Sequence, residues 1–134
     1  MSWKKFIDDG DVEAIKNSLA SGAISTKDPA TGESPVQYVA KLLKRPEIVA
    51  KLGKQSLDAQ RVQIFRLLLE HGASTEGLLS QLAHNDRDDA AKILLTYPVS
   101  KRELKDALEI GDLSDAGNFC DLIEAHIKTA QKLK

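Results

Sequence analysis

Apolar positions recur along this chain at intervals of three and four, the spacing of one face of an α-helix. From Leu57 to His71 the stripe is Val62, Phe65, Leu68 and Leu69, widened by Ile64 and Leu67. Trp3, Phe6 and Ile7 share a face before the breaker Gly10-Asp11, and Val12, Ile15 and Leu19 follow before Gly22. Those residues predict two short helices, with Gly22 as a left-handed stop. Ser34-Pro35-Val36-Gln37 is a helix entry: Ser34 as N-cap, Pro35 at the first helical position, and Gln37 where a capping box wants Gln or Glu. The helix it opens should carry Tyr38, Val39, Leu42 and Leu43. Leu78, Leu79 and Leu82 mark another helix, from about Glu76 to His84, and Ala90, Ala91, Ile93, Leu94 and Leu95 one that Pro98 stops. Ser100 should cap the next, with Leu104, Ala107 and Leu108 inside and Gly111 at its end. A last helix is expected from about Ser114 to Lys132, through Phe119, Leu122, Ile123, Ile127 and Ala130. No strand of useful length appears, so the fold class expected is all-α.

The segment 10–23, Gly10-Asp11-Val12 through Ser21-Gly22-Ala23, aligns without a gap on 60–73, Gln60-Arg61-Val62 through His71-Gly72-Ala73. A recurring unit of this kind cannot bury its apolar face alone and must stack on a neighbour.

These residues resemble the ankyrin-repeat family, whose unit of about 33 residues is a loop followed by two antiparallel helices. Gly22-Ala23, turn chemistry ending at Gly32, and Ser34-Pro35-Val36-Gln37 are similar to the family's Gly-Ala-Asp…Gly-x-Thr-Pro-Leu-His stretch. Ser34 stands for the usual Thr, Val36 for Leu and Gln37 for His. Leu67-Leu68-Leu69-Glu70-His71-Gly72-Ala73 looks like the signature of the second helix. The resemblance is sharp at 10–40 and 60–74 and weak after Ser74. It implies a helix-pair solenoid of four antiparallel pairs in a single domain, 1–134. The pairs fall at about 1–23, 33–73, 76–98 and 100–134. An irregular helical bundle and a HEAT-type solenoid are the competing arrangements.

Spacing locates the departures. Counted from Gly22, a plain repeat would end at position 55, but the stop comes at Gly72, 17 residues late. The excess is an inter-helix insertion at 44–59. Arg45-Pro46 interrupts any helix there, and Pro46 to Leu52 can form a short one with Ile48, Val49 and Leu52 on one side before Gly53. The next stop, Pro98, comes seven residues early, and the shortage lies between Ala73 and Glu76.

Composition narrows the function. The chain has 134 residues, of which 42% are hydrophobic and 4% aromatic, so a core of Leu, Ile, Val and Ala needs neither metal nor disulfide. Nineteen basic against twenty acidic residues give a formal charge of −1, which offers no broad field for nucleic acid or anionic lipid. Cys120 is the lone cysteine, which suits a reducing compartment. No apolar run reaches the length of a signal peptide or of a membrane span, about 18 residues. A soluble, cytoplasmic monomer is expected, with export by a route without a cleaved signal left open.

No catalytic, metal or cofactor site is expected. His71, His84 and His126 are scattered and form no ligand pattern with Cys120. His71 reads as a surface or capping residue and Cys120 as a small buried one. Asn85-Asp86-Arg87-Asp88-Asp89 lacks the Gly and downstream Glu of a calcium loop and reads as a solvated turn with carboxylates at a helix start. The expected function is therefore non-catalytic: a module that binds a partner protein. The ankyrin resemblance places its contacts on a concave surface of loop tips and first helices, at Lys27, Asp28, Ala30, Glu33, Gln37, Tyr38 and Lys41. The alternative is a regulatory or inhibitory protein (an antitoxin, immunity protein or effector) that acts through the 44–59 insertion.

Overall fold

The structure, a computed structural model, describes residues 3–22 and 34–132. The turn-rich stretch expected at 24–32 lies outside them. The described residues form nine helices and no strand. They fall into two compact units that divide after Ser74.

The first unit holds α1 (Trp3–Asp9), α2 (Val12–Ser21), α3 (Pro35–Leu42), α4 (Pro46–Lys51) and α5 (Gln55–Glu70). Local chemistry sets the helix ends as the sequence predicts. The Asp11 carboxylate accepts from the Ala14 N–H at 3.1 Å, and Gly22 closes α2 at φ 76°. The capping box of α3 is complete: the Gln37 N–H donates to Ser34 Oγ at 3.3 Å and the Ser34 N–H to Gln37 Oε1 at 3.1 Å. In this unit α1 packs on α2 and α3 on α5, and across the pairs α1 meets α3 and α2 meets α5. α1 also meets α5, and α4 meets α5. Ile7, Ile15, Val36, Val39, Phe65 and Leu68 are fully buried in this unit.

The second unit holds α6 (Leu78–His84), α7 (Asp88–Leu94), α8 (Lys101–Leu113) and α9 (Gly117–Lys132). It repeats the pattern: α6 packs on α7 and α8 on α9, while α6 meets α8 and α7 meets α9. Ser100 caps α8 through a second capping box, with the Glu103 N–H donating to Ser100 Oγ at 3.2 Å.

Three tight turns join paired helices with one geometry. The N–H of Gly10 donates to the Ile7 carbonyl at 3.1 Å and that of Asp11 to the Phe6 carbonyl at 2.8 Å. These crossed bonds satisfy carbonyls that a helix end leaves without partners, and they need a left-handed residue at the crossing. Asp86 and Arg87 repeat them onto Ala83 and Leu82 at 3.2 and 3.0 Å, and Asp115 and Ala116 onto Asp112 and Gly111 at 3.4 and 2.8 Å. The crossing residues Gly10, Asp86 and Asp115 have φ of 67°, 50° and 55°. Aspartate is among the few side chains that tolerate this region, so two of the turns do without glycine.

The α3–α5 pair is the exception. Its helices are separated by Leu43-Lys44-Arg45, α4 and a further crossed turn, in which Gly53 and Lys54 donate to Ala50 and Val49, both at 3.1 Å. Of the segment 44–59, α4 takes Pro46–Lys51 and α5 takes the part from Gln55 onward. No breaker lies between Gln55 and Gln60, so α5 starts at Gln55 and absorbs the insertion's second half.

Three other boundaries differ from expectation. Gly111 does not end α8; it is a buried interior residue, and a Cβ there would lie 2.7 Å from Cys120 Sγ. It lets α9 approach closely, and Asp115 supplies the stop instead. Consequently α9 starts at Gly117 and not near Ser114. At α6 the start moves from Glu76 to Leu78 because Gly77 is left-handed, and its N–H donates to Glu103 Oε1 at 3.2 Å.

Candidate protein-binding surface

The α4 insertion separates apolar residues that the sequence places on one side. Val49 and Leu57 are half-buried, whereas Ile48 is 43% and Leu52 61% exposed. No residue of α4 is buried. Ile48 and Leu52 are four apart, so both point along the same face. Spacing on a six-residue helix reports a common face but not whether anything covers it, which is why the sequence could not sort these residues. Lys44, Lys51 and Lys54 flank the exposed pair and are themselves exposed. Glu47 pairs with Arg45 at 3.0 Å. Its carboxyl is held below the usual range by its backbone hydrogen bond and then by Arg45.

The back of the insertion is anchored. A Cβ at Gly10 would lie 2.7 Å from both Leu57 Cδ1 and Gln60 Oε1, so the first turns of α5 sit on the α1–α2 turn. Arg61 extends that contact, with Nε donating to the Ile7 carbonyl at 3.2 Å and Nη2 to the Asp8 carbonyl at 2.8 Å. Residues 55–61 therefore pack, while α4 ahead of them is presented.

The candidate positions Lys27, Asp28, Ala30 and Glu33 lie outside the described residues. The other three share α3. Gln37 is exposed, but its side-chain oxygen is committed to the capping box. Tyr38 is half-buried: its hydroxyl donates to Asp8 Oδ1 at 2.6 Å, and its ring meets Trp3 edge-on at 5.6 Å and 77°. The Lys4 ammonium lies 5.6 Å from the centroids of both rings, within cation–π reach. Tyr38 thus joins α1 to α3 through an aromatic contact and a hydrogen bond. Lys41 is exposed.

Two open grooves flank the second helices of each unit. One, of about 560 Å³, lies between α2 and α5 and alternates Glu13, Lys16, Arg66 and Glu70 with Val12 and Val62. The other, of about 370 Å³, lies between α7 and α9, where Leu95, Leu122 and Ala125 sit beside Lys92 and His126. Neither gathers a set of groups suited to acid–base or nucleophilic work.

The chemistry-bearing side chains have structural partners. The Cys120 Sγ lies 3.9 Å from the Leu108 carbonyl and 3.6 Å from Asp112 Oδ1. Burial, then the Asp112 charge, pushes its thiol up to about 11, so it is not a thiolate at neutral pH. His71 Nδ1 is 2.9 Å from the Leu67 carbonyl, a capping position at the end of α5. His84 Nδ1 is 3.3 Å from Ser114 Oγ. Among the described residues no three His, Cys, Asp or Glu side chains are placed to hold a metal ion. No helix among them is long and apolar enough to cross a membrane.

The Asn85–Asp89 stretch departs from the solvated turn expected. Arg87 is 2% exposed and pairs with Asp89, Nε to Oδ1 at 3.0 Å and Nη2 to Oδ2 at 2.7 Å. Burial raises the Asp89 carboxyl, but hydrogen bonds and charge from Arg87, with the backbone N–H groups, outweigh it and leave the net shift downward. Asp86 Oδ1 accepts from the Phe119 N–H at 2.9 Å, near the start of α9. A charged five-residue run carries no sequence signal for a guanidinium turned inward.

Comparison with protein-family models, with curated proteins and with solved structures finds no match to this chain.

Proposed function

We propose that this chain is a non-catalytic protein-binding module built from ankyrin-like helix pairs, and that α4 is its recognition surface. One observation carries the reading. The apolar side chains of Ile48, on α4, and Leu52, at its C-cap, stand exposed between two members of a pair. The other pairs turn within a few residues, so the insertion is dispensable to pairing as such. Loops and insertions held by a rigid scaffold commonly carry recognition. The anchoring of residues 55–61 by Gly10 and Arg61 holds the base of the insertion in place, which lowers the ordering cost of binding.

The helix-pair contacts in each unit and the shared left-handed turns support the ankyrin-like reading. The chemical partners of Cys120, His71 and His84 support a non-catalytic one. On α3, Gln37 and Tyr38 are engaged by Ser34 and Asp8, and the exposed Lys41 is the weaker candidate surface beside α4.

The test is affinity capture from a lysate of the source cells, read by mass spectrometry, with wild type beside Ile48→Ser/Leu52→Ser and Lys41→Ala. The reading requires a protein that wild type and Lys41→Ala retain and that Ile48→Ser/Leu52→Ser loses. A protein lost only by Lys41→Ala would move the surface to α3.

A further inference from the structure

We draw no further inference here: the strongest candidate, the open groove between α2 and α5, sets two cations, Lys16 and Arg66, beside two carboxylates, Glu13 and Glu70, so that it favours neither an acidic nor a basic partner, and nothing in the structure shows what covers it.

Discussion

The Arg61 guanidinium donates to the backbone carbonyl of Asp8 at 2.8 Å, across 53 residues of sequence. It also donates at 3.2 Å to the Ile7 carbonyl, which accepts from the Gly10 N–H as well, so it engages two carbonyls at the end of α1. A positive charge there also complements the helix dipole. The bond fixes the N-terminal helix pair to α5, beside the turns of α5 that pack on Gly10.

Arg61→Ala should therefore lower the unfolding free energy by about 1–3 kcal/mol in urea titrations, the range for hydrogen bonds to a charged group. Arg61→Lys should recover only part of it, because an ammonium lacks the fork that reaches both carbonyls. Full recovery by lysine would mean that charge alone matters there.

Gly10 tests the same junction from the other side. Its φ of 67° disfavours any Cβ, and that Cβ would overlap Leu57 and Gln60 at 2.7 Å. Gly10→Ala should cost about 2–4 kcal/mol, combining a left-handed alanine with overpacking. Gly10→Ala/Leu57→Ala should cost less than the two changes summed, since the second removes one of the clashing atoms. Strict additivity in chemical denaturation would show that the two residues do not touch.

At Asp86 two contributions can be separated. Asp86→Ala loses both the tolerance of a φ of 50° and the acceptor for the Phe119 N–H, and should cost about 1–3 kcal/mol. Asp86→Gly restores the turn but not the acceptor, so it should fall between wild type and the alanine variant. A glycine variant as unstable as alanine would place the whole effect in the hydrogen bond.

The helices were legible because their signals are local. Ser34 and Gln37 form their capping box from side chains three apart, and Gly10 and Gly22 stop helices as glycine commonly does. The short helix α4 was legible between Pro46 and Gly53. The errors arose where a distant partner decides. Gly111 reads as a stop, but Cys120 needs it as a close-approach point inside α8. Arg87 reads as a surface cation, yet the fold turns it inward against Asp89. Of the candidate contact residues, Gln37 was legible as the partner of Ser34 in the capping box, Tyr38 gave no sign in the sequence that Asp8 engages it, and residues 27–33 lie outside the described structure.

Cys120 makes a pH prediction. Its thiol is raised from 9.0 to about 11 in the folded chain, first by burial and then by Asp112. The folded state holds its proton where the unfolded state has lost it, so stability should fall as pH rises from about 9 toward 11. The contribution is fully present below the unfolded value. Urea midpoints in that window should drop more for wild type than for Cys120→Ala. At neutral pH the native thiol should react with iodoacetamide far more slowly than the unfolded one; equal rates would contradict the burial.

A partner that meets this chain on α4 can be captured there by site-specific photo-cross-linking. A benzophenone side chain is installed at position 48 in one preparation and at position 41 in another. Each is irradiated in a lysate of the source cells, and adducts are identified by mass spectrometry. A discrete protein adduct is expected from position 48 and none from position 41. An adduct from position 41 alone, or from neither position, would contradict it.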